Sequence, residues 1–205
     1  MQRGNIFVVT APSGAGKTTL VAALLAADPL IRLSVSYTTR APREGEVDGK
    51  HYHFVRREDF LLRLQQGEFL ESAEVYGNFY GASQRWLQQQ LDAGNDILLE
   101  IDWQGAQQVR ALFPDAIGIF ILPPSLEVLE QRLRSRAKDS EESIVRRMAS
   151  AREEINHVEA FDYVIVNEFV DEAVKDLVSV VRSQRVRIGA QSLRHVALLA
   201  ALRGN

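Results

Sequence analysis

Apolar positions along this chain fall into two alternating rhythms. Ile6-Phe-Val-Val9 is an unbroken β-branched and aromatic run between Gly4 and Ala11-Pro12, the pattern of a strand buried on both faces. Asp96-Ile-Leu-Leu-Glu-Ile101, Ile117-Gly-Ile-Phe-Ile-Leu122 and Tyr163-Val-Ile-Val166 repeat it. Between these runs the apolar spacing changes to three and four. Leu20, Leu24 and Leu25 follow the first run, Leu126, Leu129 and Leu133 the third, and Val170, Val174, Leu177, Val178 and Val181 the last. Strands alternating with helices predict an α/β fold, a doubly wound parallel sheet flanked by helices.

Two stretches break the alternation. Residues 34–85 read as short strands and turns, with Gly45, Gly49, Gly67, Gly77 and Gly81 between aromatic and charged residues, which predicts a small inserted lobe. Residues 125–156 are helical and densely charged, open with Pro123-Pro124-Ser125 and are interrupted near Lys138 to Ser140, where Asp139 or Ser140 caps a second helix. That shape predicts a lid. The remaining segments, 1–33, 86–124 and 157–205, form the core of a single domain.

Composition narrows the function. The 205 residues are 46% hydrophobic and 25% charged, enough apolar material for one compact core. A net charge of -3 and a pI near 5.9 exclude a general polyanion binder, because nucleic-acid affinity comes from basic surfaces that neutralise phosphates. The absence of cysteine excludes disulfides, thiolate metal sites and cysteine nucleophiles. The apolar run near Met1 is too short for a secretory core or a membrane span, so the expectation is a cytoplasmic protein.

The most specific local signal is Ala11-Pro12-Ser13-Gly14-Ala15-Gly16-Lys17-Thr18-Thr19, placed directly after the first strand and before the first helix. Gly14 and Gly16 let backbone N–H groups turn inward around phosphate oxygens, and the helix N-terminus adds positive potential. Lys17 reaches the β and γ phosphates, while Thr18 offers its hydroxyl to Mg²⁺. The expected ligand of this P-loop is ATP with its metal. Ala11 stands where the motif usually opens with glycine. A P-loop alone leaves kinase, GTPase, motor and transporter ATPase open, but no Asn-Lys-x-Asp segment for reading guanine occurs.

In the inserted segment, Ser34-Val-Ser-Tyr-Thr-Thr-Arg-Ala-Pro-Arg43 sets two arginines three residues apart, with Pro42 between them. Such guanidinium groups clamp a monophosphate, or they lie solvated on a surface. The wider set decides between the two. Together with Gly45-Glu-Val-Asp-Gly-Lys-His-Tyr52, Glu71, Tyr76-Gly-Asn-Phe-Tyr-Gly81, Ile101-Asp-Trp-Gln-Gly-Ala106 and Val164-Ile-Val-Asn167, the segment resembles the guanylate kinase family over almost the whole chain. The resemblance implies transfer of the ATP γ-phosphoryl group to GMP. It also implies that Ser36, Arg40, Arg43, Tyr52 and Tyr80 hold the GMP phosphate, that Glu71 and Asp102 read guanine, and that Asn167 belongs to the ATP site. Glu71 also suits guanine on chemical grounds, since an ionised carboxylate accepts two adjacent donors. Two positions near the site depart from the family: Ala82 replaces a Ser or Thr beside the base, with Ser83 one residue along, and Glu100 replaces the first Asp of an acidic pair that organises Mg²⁺ through water.

Arg132 and Arg136 lie four apart on one predicted helix face, and Arg147 lies beyond the break. They match the family's lid arginines, which with Arg43 and Lys17 form the expected catalytic set. The bland alternative is a salt-bridged face formed with Glu127, Glu130, Glu141 and Glu142. No general base is needed, because a phosphate monoester is mostly dianionic at neutral pH. Two rivals remain: a scaffold domain of this fold without activity, and a kinase of another phosphorylated acceptor. From Arg182 onward the chain has five arginines, no acid, and apolar Leu193, Val196, Leu198, Leu199 and Leu202. This reads as an amphipathic helix that packs on the core or joins a homo-oligomer.

Overall fold

The computed structural model describes residues 3–135 and 140–204. Strand β1 (Ile6–Thr10) is central in a five-stranded parallel sheet of order β2-β7-β1-β8-β9, with β2 (Ile31–Leu33), β7 (Asp96–Glu100), β8 (Ile117–Leu122) and β9 (Tyr163–Val166). Side chains alternate across a strand, so β1 serves two cores. Phe7 and Val9 face a cluster with Leu20 and Leu24 of α1 (Lys17–Ala27) and Leu177 and Val181 of α7 (Val170–Arg185). Val8 faces the opposite cluster, with Leu87 and Leu91 of α3 (Gln84–Asp92) and Val109 of α4 (Trp103–Leu112). Helices on both faces explain why the central strands are continuous apolar runs.

One strand departs from that expectation. β9 lies at the sheet edge, with Val164 49% and Val166 52% exposed. Its apolar run resembles the buried strands, but only its α7 side is covered. The edge strand β2 lacked a signal of its own: three residues with one buried side chain are too few to show a period.

The second sheet, of order β4-β3-β6-β5, is built from β3 (Tyr37–Thr38), β4 (His53–Phe54), β5 (Phe69–Val75) and β6 (Asn78–Ser83), with α2 (Arg57–Gln65) beside it. β5 and β6 form a hairpin whose two-residue turn is Tyr76-Gly77, both at positive φ (49° and 78°), the backbone that matches strand twist in tight hairpins. A register irregularity between Phe69 and Glu71 bends β5 just before the acid.

Helices α5 (Leu126–Ser135) and α6 (Glu141–Ile155) pack through Leu129, Leu133 and Ala151, all fully buried. Ser140 caps α6 by accepting from the Ser143 amide. The other proposed cap, Asp139, lies outside the described residues. The basic tail is two short helices, α8 (Ile188–Arg194) and α9 (Val196–Arg203), rather than the one expected. Leu193, Val196, Leu198 and Leu202 are all more than half exposed. No described helix is long and apolar enough to cross a membrane.

Candidate active site

The P-loop runs from the end of β1 into α1. Gly14 and Gly16 both sit at φ +98°, a region costly for any residue with a Cβ. Their neighbours leave no room either: a Cβ on Gly14 would lie 2.9 Å from Leu129 and Leu133, and one on Gly16 would collide with the Asn167 amide. Ala11, by contrast, has ordinary backbone geometry and is buried in the core, so the loop entrance does not require glycine.

Three contacts hold the loop from behind. Asn167, 2% exposed, donates its side-chain amide to the Ala15 carbonyl at 2.7 Å. Arg132 donates to the Ala15 and Asn167 carbonyls at 3.4 and 2.9 Å. Arg147 reaches across to the Ser13 hydroxyl at 2.6 Å. Arg132 and Arg147, two of the three expected lid arginines, therefore meet the P-loop, while the expected salt-bridged face is real but belongs to Arg134, which pairs with Glu130 and Glu141. Arg136 lies outside the described residues.

At the front, the Lys17 ammonium donates to the Ile101 carbonyl at 3.1 Å. The Thr18 hydroxyl donates to the Glu100 carboxylate at 2.7 Å on an exposed edge, with Thr19 also exposed. Glu100, despite its extra methylene, therefore reaches the loop. A hydroxyl and a carboxylate this close form a hard oxygen donor pair suited to a small divalent cation.

The lobe built on the second sheet supplies arginines, tyrosines and a carboxylate. Arg40 forms a two-pronged pair with Glu46 at 2.8 and 3.0 Å, and the same carboxylate accepts the Arg43 amide at 2.6 Å. Arg40 is half-buried, with its guanidinium 5.4 Å from the Tyr52 ring, and Tyr52 meets Tyr80 edge-on at 5.8 Å. Arg43 is exposed, and Ser36 is 7% exposed at the foot of β3. Burial, then the charge of Glu100, pushes the Tyr52 phenol up to about 12, which keeps it a neutral O–H donor at physiological pH.

Glu71 is not the exposed strand carboxylate that β5 would ordinarily carry. It is 3% exposed, and one of its oxygens is buried with no partner among the described residues. Burial, then the negative charge of Asp102, pushes it up to about 8, opposed by the Ala82 backbone and Lys17. It presses so closely on α4 that a Cβ on Gly105 would lie 2.6 Å from its Oε2 atom. Asp102 is the N-cap of α4, accepting from the Gly105 amide at 2.9 Å. Ala82 is fully buried in the core between the sheet and α3, and the Ser83 hydroxyl caps α3 by accepting from the Trp86 amide.

Several residues here escaped the sequence reading. Glu46 had a visible signal, an acid three residues after Arg43 in a basic segment. Glu154 of α6 had none: burial pushes it up to about 7 against the pull of Lys17, with Asp102 and Glu153 adding to the rise. His157, just after α6, stacks on Trp103 at 3.6 Å and 10°, a contact between residues far apart in the sequence that no local pattern announces. Gln108 also lacked a signal.

A parallel sheet with a glycine-lysine-threonine loop after its central strand, faced by a cluster of arginines, tyrosines and a buried carboxylate, defines an α/β P-loop NTPase. The guanylate kinase family model matches residues 3–184. Relatives named guanylate kinase include those of Chromobacterium violaceum, 60% identical with 93% of this chain and 91% of the relative covered, and Hahella chejuensis, 54% identical with 98% and 97% covered. The crystal structure of guanylate kinase from Anaplasma phagocytophilum is similar at a TM-score of 0.78 and 38% identity, covering 95% of each chain. The chain belongs to the guanylate kinase family.

Proposed function

We propose that this protein transfers the γ-phosphoryl group of ATP to GMP, and to dGMP, giving ADP with GDP or dGDP in the cytoplasm. The observation that carries the reading is Glu71, a buried carboxylate with an unpartnered oxygen beside Asp102, on the same small sheet as Tyr80 of the Arg40–Tyr52–Tyr80 cluster. Guanine presents two adjacent N–H donors, and a carboxylate accepts both. Adenine lacks that pair of donors, and a site built to hydrogen-bond its partner rejects analogues without it by about 10⁴ or more in favourable cases.

In this reading residues 34–85 act as the GMP lobe and 125–156 as the lid. Ser36, Arg40, Arg43, Tyr52 and Tyr80 hold the acceptor phosphate, and Ala11 to Thr19 with Asn167 hold ATP. Thr18 and Glu100, the oxygen donors at the mouth of the loop, would hold Mg²⁺, which would supply charge neutralisation on the phosphates when bound. The GMP phosphate is its own nucleophile, so the protein aligns the two phosphates and neutralises charge with the P-loop amides, Lys17, Arg43, Arg132, Arg136 and Arg147. Lid closure excludes water, a competing acceptor. The exposed apolar side chains of α8 and α9 support association with a second copy.

The test is ADP release from ATP and Mg²⁺ with GMP, AMP, UMP, CMP or ribose phosphates offered separately. Stimulation by GMP with little response to the others is expected. A response to another acceptor moves the substrate, and no response to any restores the scaffold alternative. Glu71→Ala should raise KM for GMP with ATP binding intact, whereas Lys17→Ala should abolish transfer to every acceptor.

A further inference from the structure

Glu71 and Asp102 sit on different parts of the fold, the first on β5 of the four-stranded sheet and the second at the N-terminus of α4 behind the central sheet. Two carboxylates serve one planar base edge only if β5 is held at a constant height against α4. Gly105 provides the room, since a Cβ there would meet Glu71, but closeness does not set register.

The contact that sets it is made by Gln108. Its Oε1 atom accepts from the Ser72 amide at 3.1 Å, and its Nε2 atom donates to the Ser72 carbonyl at 2.9 Å. Ser72 directly follows Glu71. A carboxamide carries one donor and one acceptor side by side, the same pair that a neighbouring strand presents. β5 is the edge strand of the order β4-β3-β6-β5, so the outward N–H and C=O of Ser72 have no strand to pair with. Gln108 supplies that missing rung from a helix, three residues beyond Gly105 and hence on a neighbouring part of the same helix surface.

We infer that Gln108 is a positioning residue for the base-reading carboxylate: it fixes the height of Glu71 relative to Asp102 and so contributes to the choice of base. The inference rests on the reading that Glu71 takes guanine. Both ends of the Gln108 carboxamide are engaged with the Ser72 backbone, so its effect passes through β5 to Glu71.

The experiment compares wild type, Gln108→Leu, Glu71→Gln and the double variant in steady-state assays with GMP, with IMP, which lacks the 2-amino donor, and with ATP varied. Leucine keeps the stem and helix propensity without either hydrogen bond. Because both bonds face solvent, Gln108→Leu should raise KM for GMP by roughly threefold to tenfold. KM for ATP and kcat should stay unchanged, and the preference for GMP over IMP should shrink. In the Glu71→Gln background the same change should add less than about twofold, the non-additivity expected of residues acting as a unit. Gln108→Glu, which keeps the acceptor and loses the donor, should fall between leucine and wild type. If Glu71→Gln raises KM for GMP and Gln108→Leu does not, the inference fails while the guanine reading stands. Equal losses for ATP, or full additivity in the double variant, also overturn it. No change in KM for GMP with Glu71→Gln sinks the guanine reading itself.

Discussion

A carboxyl group that is 3% exposed beside a second acid holds its proton well above its usual value of 4.5, and Glu71 is pushed up to about 8. Guanine's donors need the ionised form, so binding GMP is linked to proton release. KM for GMP should therefore fall as pH rises from 6.5 to 8.5, with a slope near tenfold per unit at the acidic end. Glu71→Gln, which has no proton to lose, should flatten that part of the profile. The GMP phosphate titrates near 6, below most of this window. Stability moves the other way. Between 4.5 and 8 the folded state binds more protons at this position than the unfolded chain, so its contribution falls as pH rises through that window. Glu71→Gln should accordingly gain stability over wild type at pH 8 and lose that advantage near pH 4.5, as urea titrations at the two pH values would reveal.

Elements are tied together at a second buried charge cluster, on the opposite side of the sheet from the base site. Arg185, in the last turn of α7, donates to Asp28 just beyond α1 and to Asp96 at the start of β7, both at 2.6 Å. Asp96 also accepts from the amide and side chain of Asn5 at 2.8 Å. Both acids are at least nine-tenths buried, so removing the arginine takes the nearest cation from both, leaving Asp96 to Asn5 and Asp28 to the Leu30 amide and Arg182 at 4.0 Å. Arg185→Met should cost about 3 kcal/mol in a urea titration, a magnitude typical of breaking a buried pair from one side. KM for both nucleotides should change little, because the cluster is remote from the P-loop. A loss under about 1 kcal/mol would mean that water replaces the guanidinium readily.

At the scale of the whole molecule, α8 and α9 contrast with everything before them. Ile188 is 79% and Leu202 75% exposed, whereas the apolar face of α7 is fully buried at Leu177 and Val181. Exposure of this kind in consecutive helices suits an interface rather than a solvent face. Deleting the chain after Arg187 should leave kcat and the urea midpoint nearly unchanged and convert an associated species to monomers in sedimentation velocity. A full-length chain that is monomeric at tens of micromolar would remove the assembly reading.

Much of this was legible in the chain itself because it is local. Continuous apolar runs mark β1, β7 and β8, the glycine spacing of the P-loop meets two positive φ angles, and Ser140 caps α6 where the residue type predicts. The ordered motifs carry the family because their spacing survives without coordinates. What only the tertiary structure decided is who meets whom across tens of residues. Glu71 looks like an ordinary strand acid until α4 covers it, Asn167 and Arg132 brace the P-loop from more than a hundred residues away, and Gln108 finds Ser72 on a strand edge that exists only once the second sheet has formed. Periodicity reports the face a residue presents; burial, charge coupling and register depend on what later comes to rest against that face.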